Sequence, residues 1–200
     1  MDQSTKISPK RIKKKDLIIE SAVSIFSQHG YNNTKLEQIT KSLDLTDKSI
    51  YYYFNSKGDL FLEVILCIQL KLDKLIESIN QMDATHLDKI KTYTNKAMTI
   101  NGLTLLMQIP KSLSEFAKYN HIKSNEAKQY QTWTNWFQQG QSDGSMIHGD
   151  PHEHRNFLFG SLFYLHHWYA ITDNESYAHI QPFIEKMIDR MYSTQFQRLQ

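Results

Sequence analysis

The stretch TDKSIYYYFNSK, residues 46–57, decides the fold of this 200-residue chain. Its opening threonine suits the N-cap of a short helix, predicted over residues 47–54, because a threonine hydroxyl accepts a hydrogen bond from an unpaired amide. Ile50 and Phe54 are four positions apart, so they lie on the same side of that helix. This spacing predicts that the pair points into an apolar core and that the opposite side faces outward.

The outward side of this short helix carries an unusual set of side chains. Lys48 and Tyr52 point away from the core, Ser49 and Tyr51 flank them, and Tyr53 is expected to be partly buried. Tyrosines beside a lysine are typical of a surface that contacts another molecule. The recognition helix of a helix-turn-helix uses such side chains on base edges and phosphates. The competing interpretation is that the tyrosines pack against the first helix and the lysine is merely hydrated.

The residues before this segment complete a three-helix unit. Periodic apolar residues predict a first helix over 12–28 and a second from about 35 to 43. Thr34 and Glu37 have the spacing of a capping box, in which each side chain accepts a hydrogen bond from the other residue's amide. A tight turn at 44–45 then leads into the third helix. This succession predicts a helix-turn-helix.

The rest of the chain is predicted to form a larger helical bundle. Seven glycines and four prolines leave long uninterrupted segments, whose apolar residues recur at helical spacing. The predicted fold class is all-α, with an N-terminal helix-turn-helix domain, a larger C-terminal bundle and about nine helices. Beyond the three-helix unit, the predicted helices span 57–79, 87–99, 103–118, 124–139, 151–171 and 177–198.

Charge is distributed unevenly along the chain. Of 23 basic and 21 acidic residues, ten basic and six acidic ones lie in the first 57 positions, which carry a net +4. A polyanionic partner is therefore expected to bind the N-terminal quarter. The predicted division is a basic arm at 1–10, a DNA-binding domain at 11–57 and a second domain at 58–200. The arm is expected either to follow DNA or to remain a disordered, solvated tail.

Composition disfavours other classes of protein. Cys67 is the only cysteine, so an intramolecular disulfide is excluded and the reducing cytoplasm is the expected location. The basic run at 10–15 is not followed by the apolar segment of a signal peptide. The apolar stretch at 157–171 contains two histidines and is too short to cross a bilayer. A membrane span is therefore not expected.

These motifs together resemble the TetR family of regulators over about residues 12–65. The resemblance rests on Gly30-Tyr31, Thr34, Leu36, Ile39, Leu43, Leu45-Thr46, Ile50-Tyr51, Tyr53-Phe54, Ser56-Lys57 and Leu60. It implies operator contacts by Thr46, Lys48, Ser49, Tyr51, Tyr52 and Tyr53, and a phosphate contact by Lys57. Asp47 departs from the family's pattern, and we expect it to favour the positive N-terminus of its own helix.

The resemblance further implies a ligand-responsive transcriptional repressor that binds a palindromic operator as a homodimer. The family pairs through its two C-terminal helices, and the last predicted helix carries the broad apolar face that such pairing needs. A small apolar or aromatic effector is expected to bind the C-terminal domain and to release the DNA. The candidate pocket residues, each also typical of ordinary core packing, are Tyr93, Trp133, Phe137, Phe163, Tyr164 and Trp168.

Three alternatives come from other classes of protein. A metal-responsive regulator on the same fold would use His148, His152, His154 and either His166 or His167. An enzyme is disfavoured because the sequence has neither an HExxH motif nor paired cysteines, and we assign no catalytic residue, metal ligand or cofactor. A helical protein that binds a membrane surface or a protein partner would leave the helix-turn-helix without a purpose.

Overall fold

The described residues fold into helices that are joined by turns and short loops. The computed structural model describes residues 9–169, 171 and 174–197, without the side chains of Pro9, Lys10, His166, His167, Asn174 and Gln197. This part contains no β-strand, which confirms the all-α class. It consists of α1 (Pro9–Asn33), α2 (Leu36–Ser42), α3 (Asp47–Tyr51), α4 (Lys57–Asn80), α5 (His86–Ala97), two 3-10 helices (Leu103–Met107 and Lys111–Leu113), α6 (Ala117–Ser142), α7 (Pro151–Tyr169), α8 (Asn174–Tyr192) and α9 (Thr194–Gln197).

Helices α1, α2 and α3 form a small unit around a shared apolar centre. Phe26 of α1, Ile39 of α2 and Ile50 of α3 are all fully buried. Phe26 also meets the ring of Phe61 edge-on, with the ring centroids 5.0 Å apart. This contact fixes the unit against α4, because aromatic rings in edge-to-face contact have a preferred relative orientation.

Helix α4 connects the small unit to the rest of the chain. The hydroxyl of Ser56 accepts a hydrogen bond from the amide of Asp59 and so caps the helix. Buried residues occur on all sides of α4, since it packs against α1, α5 and α6. Its position in the centre of the molecule places it in contact with both functional regions described below.

Helices α5 to α8 form the larger bundle. Tyr93 of α5 is buried among aromatic rings, with Trp133, Trp136 and Phe159 at centroid distances of 5.5, 5.5 and 5.8 Å. Helix α8 packs on α5, and α7 packs on α6. No helix in the described ranges is long and apolar enough to cross a membrane.

One predicted helix is wrong. In place of a helix over 103–118, the chain forms two 3-10 helices separated by an extended Pro110, with φ −67° and ψ 139°. Gly102 begins this segment in the left-handed region, with φ 82°. A proline has no amide hydrogen, which favours ending a helix at this point.

The predicted capping box is also wrong. Helix α2 begins at Leu36, with Lys35 at the N-cap, and the amide of Lys35 donates to Gln38 Oε1 at 2.7 Å. The hydroxyl of Thr34 instead donates backward to the carbonyl of Gly30 at 2.8 Å. Gly30 kinks α1, with φ 72° and ψ 167°, and so leaves that carbonyl free to accept.

The start of the chain differs from the expected arm. Residues 1–8 of the arm predicted at 1–10 lie outside the described residues. Helix α1 begins at Pro9, earlier than residue 12, and therefore includes the basic residues from 10 to 15. A proline in the first turn is compatible with a helix, because its missing amide hydrogen would have no partner there.

Candidate nucleic-acid interface and ligand cavity

Helix α3 has the two-sided character that the sequence predicts. Ile50 and Phe54 are buried, whereas Tyr51 and Tyr52 are 58% and 63% exposed. Tyr53 is half-buried, as expected. The helix ends at Tyr51, but the amides of Tyr53 and Phe54 both donate to the carbonyl of Ile50, at 2.8 and 2.9 Å. These bonds hold the tyrosine run in a defined orientation.

The turn before α3 is held by side-chain hydrogen bonds. Thr46 occupies the N-cap, but its hydroxyl pairs with the hydroxyl of Ser49 at 3.0 Å rather than with an amide. Asp47 accepts a hydrogen bond from the hydroxyl of Thr40 at 2.7 Å, which ties α3 to α2. The expected role of Asp47 at the helix N-terminus is therefore accompanied by a structural one. Thr46, Asp47 and the neighbouring Lys48 all remain exposed.

The basic end of α1 lies beside α3, which the sequence did not predict. The guanidinium of Arg11 lies 4.8 Å from the centroid of the Tyr52 ring. Lys14 shares a shallow concavity of about 250 Å³ with Thr46, Lys48, Ser49, Tyr52 and Tyr53. The basic run at 10–15 was the available signal, but nothing in its spacing indicated that it would lie beside α3. Its helical placement concentrates positive charge next to the exposed tyrosines.

Lys57 is the one predicted contact residue whose side chain turns inward. Its ammonium donates to the carbonyls of Tyr31, Asn32 and Thr34, at 2.9, 3.3 and 3.0 Å. It also lies 4.5 Å from the centroid of the Tyr31 ring. These three acceptors use all the hydrogens of the ammonium. In this structure the side chain joins α4 to the end of α1, and its phosphate contact stays a prediction.

An open cavity of about 380 Å³ lies between α4, the first 3-10 helix, α6 and α7. Of the six predicted pocket residues, Trp133 and Phe163 line it. Tyr93 lies behind Trp133 in the core, and Phe137 is buried against His154, with their ring centroids 5.9 Å apart. Phe137 is a core residue, whereas Tyr93 lines a small apolar void of about 20 Å³ that it shares with Trp133 and Phe163.

Tyr164 and Trp168 do not line this cavity. They are 66% and 75% exposed on the outer side of α7, where they border an apolar groove of about 360 Å³ shared with α8. Phe183 and Met187 of α8 line the same groove. Helical periodicity alone could not distinguish the inner from the outer side of α7, since both sides carry aromatic residues.

The polar residues of the cavity were missed. Gln69, Lys123, Glu126, Gln129 and Arg155 line it together with the aromatic residues. The available signal was the position of Gln69 on the apolar stripe of α4, where a polar residue needs a partner. Because the cavity is partly buried, its polar groups are positioned to select a ligand.

The histidines do not form a site in the part of the chain that is described. No three histidine, cysteine or acidic side chains there are grouped so that they could hold a metal ion. The imidazole of His154 instead stacks on Phe137 and meets Tyr192 edge-on. The side chains of His166 and His167, named as candidate ligands, lie outside the described residues.

The helix-turn-helix segment matches a known family. The sequence profile described as "Bacterial regulatory proteins, tetR family" matches residues 18–64, from α1 into α4. These residues of the chain are thus similar to the helix-turn-helix segment of the TetR family. The match includes the buried and exposed sides of α3 described above.

Curated relatives match a minor part of this chain. The biofilm operon icaADBC HTH-type negative transcriptional regulator IcaR of Staphylococcus aureus is 40% identical over 53 residues, which are 26% of this chain and 28% of IcaR. The HTH-type transcriptional repressor NicS of Pseudomonas putida is 37% identical over 70 residues, 35% of this chain and 30% of NicS. The chain thus matches less than a third of the length of these relatives.

Solved structures extend the likeness in fold to most of the chain. The ketosteroid transcriptional regulator KstR2 of Mycobacterium tuberculosis superposes with a TM-score of 0.71 at 16% identity, covering 86% of this chain and 93% of KstR2. AibR, solved with isovaleryl coenzyme A and operator DNA, gives a TM-score of 0.73 at 13% identity, covering 89% and 97%. At these identities the likeness shows the fold.

Proposed function

We propose that this chain is a ligand-responsive transcriptional repressor that binds a palindromic operator as a homodimer. The observation that carries the proposal is the orientation of α3, which buries Ile50 and exposes Tyr51 and Tyr52 beside Lys48. Residues 11–57 would read DNA, and residues 58–200 would bind the ligand and form the dimer. Such a role places the protein with the chromosome, in the cytoplasm.

In this proposal α3 enters the major groove. Lys48, Ser49 and Tyr52 reach base edges, while the hydroxyls of Thr46, Tyr51 and Tyr53 hold the DNA backbone. Lys57 serves the interface indirectly, because it fixes α4 against the end of α1. Arg11 and Lys14 add phosphate contacts, since α1 presents them on the same surface.

The ligand controls the distance between two α3 helices in the dimer. Two recognition helices must lie about 34 to 36 Å apart to enter successive major grooves. A ligand in the cavity between α4, α6 and α7 would favour one relative placement of these helices. If it binds better to a dimer with a different spacing, it releases the operator.

Selection of duplex DNA from a random pool tests the proposal at a fixed salt concentration. We expect a palindromic sequence, and we expect Lys48→Ala and Tyr52→Ala each to weaken its binding by about tenfold or more. Lys71→Ala is the matched control, because Lys71 is exposed on α4 away from α3. Enrichment of unrelated sequences, equally by the unmodified chain and both variants, would contradict base reading by α3.

A further inference from the structure

The cavity between α4, α6 and α7 has an apolar wall that suits a flat ligand. Ile109, Ile122, Trp133, Phe159 and Phe163 contribute to that wall. Trp133 and Phe159 stack on each other with ring centroids 4.0 Å apart. Broad, fixed aromatic surfaces favour a ligand with a planar apolar body.

The mouth of the cavity carries one uncompensated positive charge. The guanidinium of Arg155 donates to neutral oxygens, Asn156 Oδ1 at 2.7 Å and Thr134 Oγ1 at 2.8 Å. Within the described ranges it makes no ion pair with a carboxylate. Lys123, by contrast, is already paired with Glu126. A guanidinium at a partly buried site favours an anionic partner, above all a planar carboxylate.

Gln69, which lines the cavity, has one unused hydrogen-bond acceptor. Gln69 is only 3% exposed, and its Nε2 donates to the carbonyl of Ile122 at 3.0 Å. Its Oε1 has no hydrogen-bond partner among the described residues. A buried carbonyl oxygen without a partner costs free energy, so a ligand that donates a hydrogen bond to it gains affinity.

The Gln69 side chain and the Arg155 guanidinium contact different turns of α6. Gln69 lies beside the turns of α6 between Ile122 and Gln129. Its side-chain Nε2 donates to the carbonyl of Ile122, and its backbone carbonyl accepts from Nε2 of Gln129 at 3.4 Å. Arg155 is level with Thr134. A helix rises by about 1.5 Å per residue, so Gln69 and Arg155 contact turns of α6 that are separated by about 8 to 18 Å.

We propose that the effector is a flat, apolar carboxylate whose carboxylate binds Arg155 and whose hydroxyl or N–H group, about 8 to 18 Å away, donates to Gln69 Oε1. This inference rests on the proposed function, since it names the ligand class of the regulator. Glu126 does not cancel the attraction, because its carboxylate accepts from both Lys123 and the hydroxyl of Tyr130. Burial and the neighbouring Glu126 raise the pKa of Tyr130 to about 12, so this phenol stays a neutral donor.

Three probes with the same body test the two polar contacts on the unmodified full chain. 4′-Hydroxybiphenyl-4-carboxylate carries both groups, its methyl ester lacks the negative charge, and biphenyl-4-carboxylate lacks the hydroxyl. We expect calorimetry to show one site per chain for the first probe. Loss of the charge should weaken binding by at least about tenfold, and loss of the hydroxyl by about threefold to tenfold.

Variants assign each preference to its residue. Arg155→Gln should remove the preference for the acid over its ester and keep the preference for the hydroxyl. Gln69→Leu should remove the preference for the hydroxyl and keep the preference for the acid over its ester. Lys128→Gln should leave all three affinities unchanged, because Lys128 is exposed on α6 and does not line the cavity. If Gln69→Leu does not fold, the three probes on the unmodified chain still test whether the cavity prefers a carboxylate and a hydroxyl.

Equal affinities of acid and ester for the unmodified chain, or no binding of any probe, would overturn the ligand class. Operator binding is measured separately and without a probe. If the chain binds a palindrome but does not discriminate between the probes, the proposed function is supported and the ligand class is contradicted. If the chain discriminates between the probes but binds no specific DNA, the ligand site is supported and the proposed function is contradicted.

Discussion

At the scale of single residues, one ion-pair cluster joins the two functional regions. The ammonium of Lys118, at the start of α6, lies 2.6 Å from Asp59 and 2.7 Å from Glu63, both on α4. Asp59 Oδ2 also accepts from the amide of Asn55, directly after the buried Phe54. Short contacts thus connect α6, which borders the cavity, to Asn55, which follows the buried Phe54.

The cluster makes stability dependent on pH in a defined direction. Burial alone would raise the pKa of Asp59, but hydrogen bonds from Lys118 and Asn55 lower it below 3.8. The pKa of Glu63 is lowered below 4.5 in the same way, by Lys118 and Lys15 against burial. A carboxyl group with a lowered pKa in the folded state stabilises the fold above its ordinary pKa. That contribution is lost as the pH falls through the folded value.

We expect Lys118→Met to lower the free energy of unfolding by about 2 kcal/mol at pH 7, between the values typical of exposed and buried ion pairs. The loss should shrink at pH 3, where protonation of the two carboxyls removes their need for a partner. Urea denaturation followed by circular dichroism at both pH values measures it. Lys111→Met is the control, because Lys111 is exposed and forms no ion pair among the described residues. An equal loss at both pH values would show that Lys118 acts by packing.

At the scale of elements, the accuracy of the sequence predictions depended on whether local signals agreed. Helix α4 was predicted over 57–79 and spans Lys57–Asn80, since a serine cap and an unbroken apolar stripe mark the same segment. The segment over 103–118 has apolar residues at helical spacing, but Pro110 is extended. Periodicity there reflected separate burial of Leu105 and Leu113, not a single helix face.

Only some residues that line the cavity could be predicted from the sequence. Aromatic density in the C-terminal part indicated a site, and two of the six named residues line it. Gln69 and Arg155 are far apart in the sequence and line one cavity only because α4 and α7 both pack against α6. No local pattern encodes that arrangement, whereas the two sides of α3 follow from the spacing of Ile50 and Phe54 alone.

The turn between α5 and the first 3-10 helix depends on Gly102. Its φ of 82° is unfavourable for other residues, and a Cβ atom would lie 2.8 Å from Val23 Cγ1 and 3.0 Å from Ile68 Cδ1. Val23 is short and β-branched, so it cannot move aside easily. This close approach seats the segment against both α1 and α4.

We expect Gly102→Ala to destabilise the protein by about 2 to 4 kcal/mol, from the left-handed backbone and the steric contact together. Gly144→Ala is the matched control, because its φ is 78° and a Cβ atom there would meet nothing within 4 Å. The control should show only the backbone cost of about 1 to 2 kcal/mol. Thermal denaturation of both variants gives the difference, and equal losses would rule out the contact with α1 and α4.

At the scale of the whole molecule, the outer side of α7 and α8 is the surface that a second copy would cover. Phe157, Tyr164, Trp168 and Phe183 are each more than half exposed and border one apolar groove. A contiguous apolar surface of this kind is unfavourable in water and typical of an interface. A two-fold dimer through it would present both α3 helices to one duplex, whereas a monomer presents only one.

Phe183→Glu tests that arrangement, because Phe183 is 52% exposed at the groove and a carboxylate there would be buried in an apolar dimer interface. We expect sedimentation to show a monomer at concentrations where the unmodified chain is a dimer, with a folded helical content. Operator affinity should fall by at least about a hundredfold, since the two half-sites are no longer bound together. Leu70→Glu is the control, because Leu70 is 53% exposed on α4 and does not line the groove. A variant that remains dimeric with unchanged affinity would place the interface elsewhere, and operator spacing would then have to be set by another pair of helices.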